Sequence, residues 1–160
     1  ISPLPSQLTD DDLDDMMRTN VKSALYGMQE ALPHFKERGT GQIVNVSSLL
    51  GRVPFATARS AYCGAKHFLN ALTATFRAEL EAEYPEIQVT LVSPGVVRTD
   101  FGLNARHGGP DSRSFGESQS AEEVAAVIAD VIARPRPYGY TRTGALDCIV
   151  AYDEHMGMDP

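Results

Sequence analysis

The sequence predicts an α/β protein, a parallel sheet with helices on both faces, from three observations. Two short β-branched runs, QIVNVS at 42–47 and IQVTLVS at 87–93, lack the strict alternation of a half-exposed strand and suit a sheet covered on both sides. Each is preceded by a long stretch whose apolar residues recur at spacings of three and four. After residue 119 the alternation continues with another helical stretch and another apolar run.

Taken in order, ISPLPSQ is a loop punctuated by Pro and Ser, and Thr9 three residues ahead of Asp12 is an acidic form of the helix-start pattern. A helix is predicted from Asp10, with its stripe running through Leu13, Met16, Met17, Val21, Leu25, Met28, Leu32 and Phe35 to about Lys36. The first strand comes next, then a loop over 49–59. Ala65, Phe68, Leu69, Leu72, Phe76 and Leu80 restore the helical spacing from Ser60 to about Tyr84, where Pro85 closes the helix. The second strand ends abruptly at Pro94 and Gly95. Residues 100–119 are rich in Gly, Ser and Asp without periodicity, a long loop of functional size. Ser120 with Glu123 opens a helix to about Ala133, and ALDCIV near residue 147 is read as a weaker strand.

Composition narrows the function. The 160 residues with 42% hydrophobic content make one domain over 1–160 the expectation. A net charge of -7 leaves no basic field for nucleic acid or anionic lipid. Cys63 and Cys148 lie far apart and outside any Cys/His cluster, so neither a disulfide framework nor a metal site is expected, and a reducing cytoplasm fits. No apolar run approaches the roughly 20 residues of a membrane span.

In such sheets ligands bind beyond the carboxyl ends of the strands, which directs attention to Ser47, Ser48, Ser93, Pro94 and Gly95. The neighbouring segment SAYCGAKHFL places Tyr62 four residues ahead of Lys66, one of three lysines. That spacing puts phenol and ammonium on one helical face. A cation favours phenolate and draws its pKa down from about 10 toward a value useful for acid/base work. Random placement would produce about 0.1 such pairs in this chain, and a tyrosine half-buried on an amphipathic helix is the structural alternative.

Four ordered blocks then carry a resemblance to the short-chain dehydrogenase/reductase family, classical branch. RTNVKS is similar to its helix with a catalytic asparagine, GQIVNVSSLLG to its serine-bearing strand, YCGAK to its YxxxK motif, and VSPGVVRTDF to its PG motif with a threonine four residues after the glycine. The blocks cover about residues 9–147 and are jointly specific. The resemblance implies a three-layer Rossmann-like fold, NAD or NADP as cofactor, and an alcohol or carbonyl as small-molecule substrate. It assigns Tyr62 as general acid/base and Ser48, three residues before Gly51, as the hydroxyl that orients the substrate oxygen. Ser47 is left as strand-end structure. It implies that Lys66 lowers the Tyr62 pKa and holds the nicotinamide ribose, and that Asn20 interrupts its helix to hold a water for proton relay. Pro94, Gly95, Val97 and Thr99 would meet the nicotinamide, residues 100–119 would form the substrate lid, and the two long helices would build a homodimer or homotetramer.

The chain departs from the family pattern in lacking a glycine-rich cofactor turn, and the Ser48 to Tyr62 interval is one residue longer. Its opening resembles the segment directly after the family's NAG motif. The expectation is therefore the carboxyl-terminal part of an incomplete doubly wound sheet, with a non-catalytic fragment that binds a partner as the alternative function. Phe101, Leu103 and Phe115 either cover an apolar substrate or pack on their own domain. His34, His67, His107 and His155, without carboxylate partners in the sequence pattern, are expected to be solvated or packing residues. Arg52 and Arg59 are expected to face solvent, and the DDDLDD run to complement the helix dipole.

Overall fold

The computed structural model describes residues 3–156. Among them, three strands form one parallel sheet in the order β1 (Gly41–Val46), β2 (Ile87–Ser93), β3 (Tyr138–Tyr140). The register pairs Gly41 with Ile87 through Val46 with Val92, and Leu91 with Tyr138 through Ser93 with Tyr140. The expected α/β architecture is therefore present, with β1 at one edge of the sheet.

Helix α1 (Asp10–Met17) starts on the Thr9 box: Thr9 Oγ1 accepts from Asp12 N at 3.2 Å and Asp12 Oδ2 accepts from Thr9 N at 3.4 Å. The predicted single helix from Asp10 does not stay α throughout. Over Arg18–Lys22 it widens into a π turn, closed by Ser23 N donating to Arg18 O, before α2 (Ser23–Arg38) resumes. Helix α3 (Ser60–Glu81) and helix α4 (Ala121–Ala133) match the spacing, and Ser120 Oγ accepts from Glu123 N at 3.1 Å to cap α4.

Alternate residues of the strands face opposite layers. Ile87 and Val89 pack with Met28 of α2 and with Phe76 and Leu80 of α3, with Ile43 alongside, which forms the main core. On the other face, Val127 and Val131 of α4 come up against Val92 and Gly139, and Gln42 Nε2 donates to Val131 O at 3.0 Å. Both layers are thus covered, as the unbroken β-branched runs required.

One predicted element is corrected. ALDCIV belongs to helix α5 (Ala145–His155), and the third strand is the preceding YGY. Gly144, at φ 74°, sets the turn into the helix. Ala145 and Ile149, four residues apart, bury one face of α5 against Leu49 and Val53, with Tyr152 packed alongside. The segment is apolar except for Asp147 and can pass for a short strand, but its buried positions keep the helical period. No described helix is long and apolar enough to cross a membrane, and both cysteines are free thiols.

Candidate active site

The pairing of β1 with β2 continues past the strands and brings two loops together. Ser47 N donates to Val92 O at 2.7 Å and Leu49 N to Pro94 O at 2.8 Å, so Ser48 and the Pro94–Gly95 turn emerge side by side at the carboxyl edge. Ser48 is extended and caps a short 3-10 turn, its Oγ accepting from Leu50 N at 3.2 Å.

That serine loop is clamped to α3. Asn70 Nδ2 donates to Gly51 O at 2.7 Å, Asn70 Oδ1 accepts from Ser47 Oγ, and Ser47 Oγ also reaches Lys66 O at 3.4 Å. A Cβ on Gly51 would lie 2.9 Å from Asn70 Nδ2 and 3.0 Å from Lys66 O, so this contact of loop on helix requires glycine. The Ser47 hydroxyl is thus spent on the clamp, although Ser47 also borders the cavity that opens beside Ser48. Asn70 is a residue that sequence reasoning misses: its spacing of four from Lys66 is the one available signal, and only the fold brings Gly51 to it.

Below the clamp, Asn45 Nδ2 donates to Thr73 Oγ1 at 2.9 Å, and Thr73 Oγ1 donates to Leu69 O at 2.7 Å. These buried polar groups are satisfied in a chain that fixes β1 against α3.

Tyr62 and Lys66 project from one face of α3. Lys66 is buried, 8% exposed, and its Nζ lies 5.6 Å from the Tyr62 ring centroid while donating to Val46 O at 3.0 Å. Burial pulls the Lys66 ammonium down to about 8. Burial also pushes the Tyr62 phenol above its ordinary value of 10.0, against the pull of the Ser48 hydroxyl and the positive charge of Arg59, while Cys63 adds to the rise. The expected lowering of the phenol is thus not the net outcome: desolvation outweighs the Ser48 hydrogen bond and the Arg59 charge.

The π turn carries Asn20. Its Nδ2 donates to Met16 O at 3.3 Å and touches Met16 Sδ at 2.9 Å, and Ser23 Oγ donates to Thr19 O at 2.6 Å, so side chains take up carbonyls the wider turn releases. The interruption expected at Asn20 is present. Met16 and Val21 on either side of it pack with Ala61 and Ala65, with Tyr62 against the same cluster.

A cavity of about 500 Å³ opens where these parts converge, bordered by Ser48, Tyr62, the 94–97 segment and Thr99. Loop 100–119 forms its far wall. Arg98 N donates to Gln119 O and Gln119 N to Val96 O, each at 2.8 Å, which pins the two ends of the loop together. The Gln119 side chain, bonded to both the Thr141 carbonyl and its hydroxyl, ties them to the segment after β3.

Phe101 meets Tyr62 in a tilted contact, ring centroids 5.6 Å apart and planes at 60°, and Phe115 lines the cavity, whereas Leu103 is exposed and stands outside it. Two sequence expectations are corrected. Arg59 lines the cavity, its guanidinium carbon 5.7 Å from the Phe101 ring centroid, instead of facing solvent. His107 has a carboxylate partner, with Nε2 2.6 Å from Asp12 Oδ1. Arg106 joins it, bonding Asp15 Oδ2 at 2.5 Å and Asp11 O at 3.2 Å, so the acidic helix start also anchors the loop. Hydrogen bonds from His107 and Thr9 hold the Asp12 carboxyl down at about 2.

Comparison with known proteins places this arrangement. The family model for short chain dehydrogenase matches residues 3–108. The chain is 36% identical over 113 residues to dehydrogenase/reductase SDR family member 7B of Mus musculus, covering 66% of this chain and 33% of that protein. It is 31% identical over 128 residues to dehydrogenase/reductase SDR family member 11 of Homo sapiens, covering 76% and 49% respectively. The chain thus spans a third to a half of the length of these curated relatives. Among solved structures, a short chain dehydrogenase/reductase from Burkholderia phymatum in complex with NAD superposes with a TM-score of 0.84 at 20% identity, over 99% of this chain and 64% of that one. A short-chain dehydrogenase from Sphingobium yanoikuyae in complex with NADPH gives 0.79 at 22%, over 99% and 61%. At those identities the likeness is one of fold, and it extends over the whole sheet and its helices. By the match of the family model to most of its length, the chain belongs to the short chain dehydrogenase family.

Proposed function

We propose that the whole protein is an NAD(P)-dependent oxidoreductase acting on an alcohol or carbonyl substrate, with Tyr62 passing the proton that accompanies hydride transfer. The observation that carries this reading is the meeting of the Tyr62 phenol and the Ser48 hydroxyl at one edge of a cavity beyond the carboxyl ends of β1 and β2, with the buried Lys66 ammonium 5.6 Å from the Tyr62 ring. Bound nicotinamide supplies or accepts the hydride. NAD is bound in the Burkholderia phymatum relative and NADPH in the Sphingobium yanoikuyae one, and the reading covers both.

The residues of this chain fit the nicotinamide half of such a cofactor. Pro94, Gly95, Val97 and Thr99 border the cavity, and the Val97 amide donates to no acceptor among the described residues, leaving an N–H for a carboxamide oxygen. Lys66 uses one of its three N–H donors on Val46 O, which leaves donors for ribose hydroxyls. Ser48 would hold the substrate oxygen against the Tyr62 phenol. The wide turn at Asn20 is read as the water-holding element of a proton path toward Lys66.

The phenol, raised above 10.0, carries its proton at neutral pH, so Tyr62 has the proton that carbonyl reduction consumes. Loop 100–119, anchored at both ends and at Asp12, is the substrate lid in this reading. Exposed Tyr26 on α2 and Phe68 on α3 suit the homo-oligomer implied by the family, which would cover them.

The test is reduction of aliphatic and aromatic ketones by the whole protein with NADH or NADPH, monitored by nicotinamide absorbance. Turnover supports the proposal, and no turnover of any ketone or alcohol with either cofactor contradicts it. A second reading, a non-catalytic module that docks a partner strand, draws on the outer edge of β1, unpaired among the described strands. Micromolar binding of NADH or NADPH by the 160-residue chain would contradict that reading.

A further inference from the structure

Two arginines border the cavity, and their surroundings differ. Arg142 is ion-paired with Glu117 and lies on the Gly95 side, so its charge is already offset. Arg59, three residues ahead of Tyr62, is half-buried between loop and helix. No carboxylate among the described residues pairs with it, and its five N–H donors meet no protein acceptor there. The Phe101 ring lies 5.7 Å from its guanidinium carbon, and its charge also reaches the Tyr62 phenol and the Cys63 thiol, both uncharged partners.

The guanidinium borders a cavity walled by Leu49 and by the rims of Phe55, Phe101 and Phe115, which are themselves exposed, so it stays half-hydrated while facing largely apolar surface. Its fork of donors matches a carboxylate bidentately, and a ring face beside it limits its rotation. One guanidinium and one carboxylate leave the apolar cavity neutral. A phosphate dianion would leave about one charge uncompensated.

We propose that the substrate carries a carboxylate, bound by Arg59, joined through an apolar segment to the carbonyl or alcohol carbon that reacts at Tyr62. The proposal rests on the oxidoreductase reading only for the identity of the reacting group. Arg59 is then a specificity residue: it selects acids over neutral ketones, while Phe101 and Phe115 contact the segment between the two polar ends.

The experiment is calorimetric titration of the whole protein, without turnover, with 4-oxo-4-phenylbutanoate and with its methyl ester. The acid is expected to bind about tenfold more tightly than the ester, as a charge-assisted bidentate pair at a half-buried site does. Arg59→Gln should bring that ratio to about one while leaving the ester within about twofold, and Arg59→Lys should retain part of it. In the wild type the ratio should also fall as salt is raised, which tests the proposal even where the glutamine variant does not fold.

A wild-type ratio near one would overturn the proposal, as would a ratio unchanged in Arg59→Gln. So would equal losses for acid and ester, or a loss of NADPH binding with acid and ester treated alike. Turnover of the same probes with NADPH separates the two claims. Reduction of both probes without preference removes the anion site and keeps the oxidoreductase; Arg59-dependent preference without reduction of either does the reverse.

Discussion

The ammonium of Lys66 lies 5.6 Å from the centre of the Tyr62 ring yet gives its hydrogen bond to the carbonyl of Val46, 3.0 Å away. The two side chains share one helical face, but the lysine is held by the end of β1. Sheet and helix therefore fix the site jointly, and the cation is kept in place at the cost of its desolvation.

That cost is measurable as a pH dependence of stability. Lys66 titrates at about 8 in the folded protein against 10.5 for the free side chain. The unfolded state therefore binds more protons between those values, and stability rises with pH across that window, by up to roughly 3 kcal/mol for a shift of this size. Lys66→Met should be the more stable protein at pH 7 and should lose its advantage as pH climbs from 8 to 10.5. Urea denaturation of both proteins at a series of pH values checks this, and a pH-independent difference would refute it.

The serine loop depends on Asn70. Asn70→Ala leaves the Gly51 carbonyl and Ser47 hydroxyl without their partner, which should cost about 1–3 kcal/mol. Gly51→Ala forces a Cβ to within 3.0 Å of Lys66 O and should cost a similar ~1–3 kcal/mol through overpacking. Thermal denaturation reads the stability of each variant. If the loop positions Ser48, both should also lower kcat more than they raise KM.

The contact between His107 and Asp12 holds the middle of loop 100–119 on the start of α1. His107→Ala should speed amide hydrogen exchange over that loop while leaving β1 and β2 protected. Asp12 supplies the pH signature of the same contact. Its carboxyl is held at about 2 against 3.8, so its contribution is present above 3.8 and is lost as pH falls from there toward 2. Exchange rates unchanged by the substitution would show that the loop is held elsewhere.

How much is legible in the sequence depends on the range of each interaction. The strands at 41–46 and 87–93, and the helices beginning at Asp10, Ser60 and Ala121, announce themselves through local periodicity and through the Thr9 and Ser120 caps. Tyr138–Tyr140 is invisible there because three residues carry no period, and only pairing with Leu91–Ser93 makes them a strand. ALDCIV misleads because a short segment with five apolar residues out of six does not distinguish a strand from the buried side of a helix. Of the site, the four-residue spacing of Tyr62 and Lys66 is readable, as is the interruption at Asn20. The positions of Arg59, Phe101, Asn70 and His107 are not, since each acts through a partner distant in sequence or through a loop without periodicity. The direction of the phenol shift also escapes the sequence, because burial is a property of the fold and here it exceeds the pull of Ser48 and Arg59.

The central claim is that the Tyr62 proton is the one exchanged with substrate. The most direct measurement is kcat and cofactor affinity of Tyr62→Phe in the whole protein, with a ketone the wild type reduces. The account predicts a fall in kcat of about 10²- to 10⁴-fold with cofactor binding retained. Activity within about twofold of the wild type would contradict it, because phenylalanine has no proton to give.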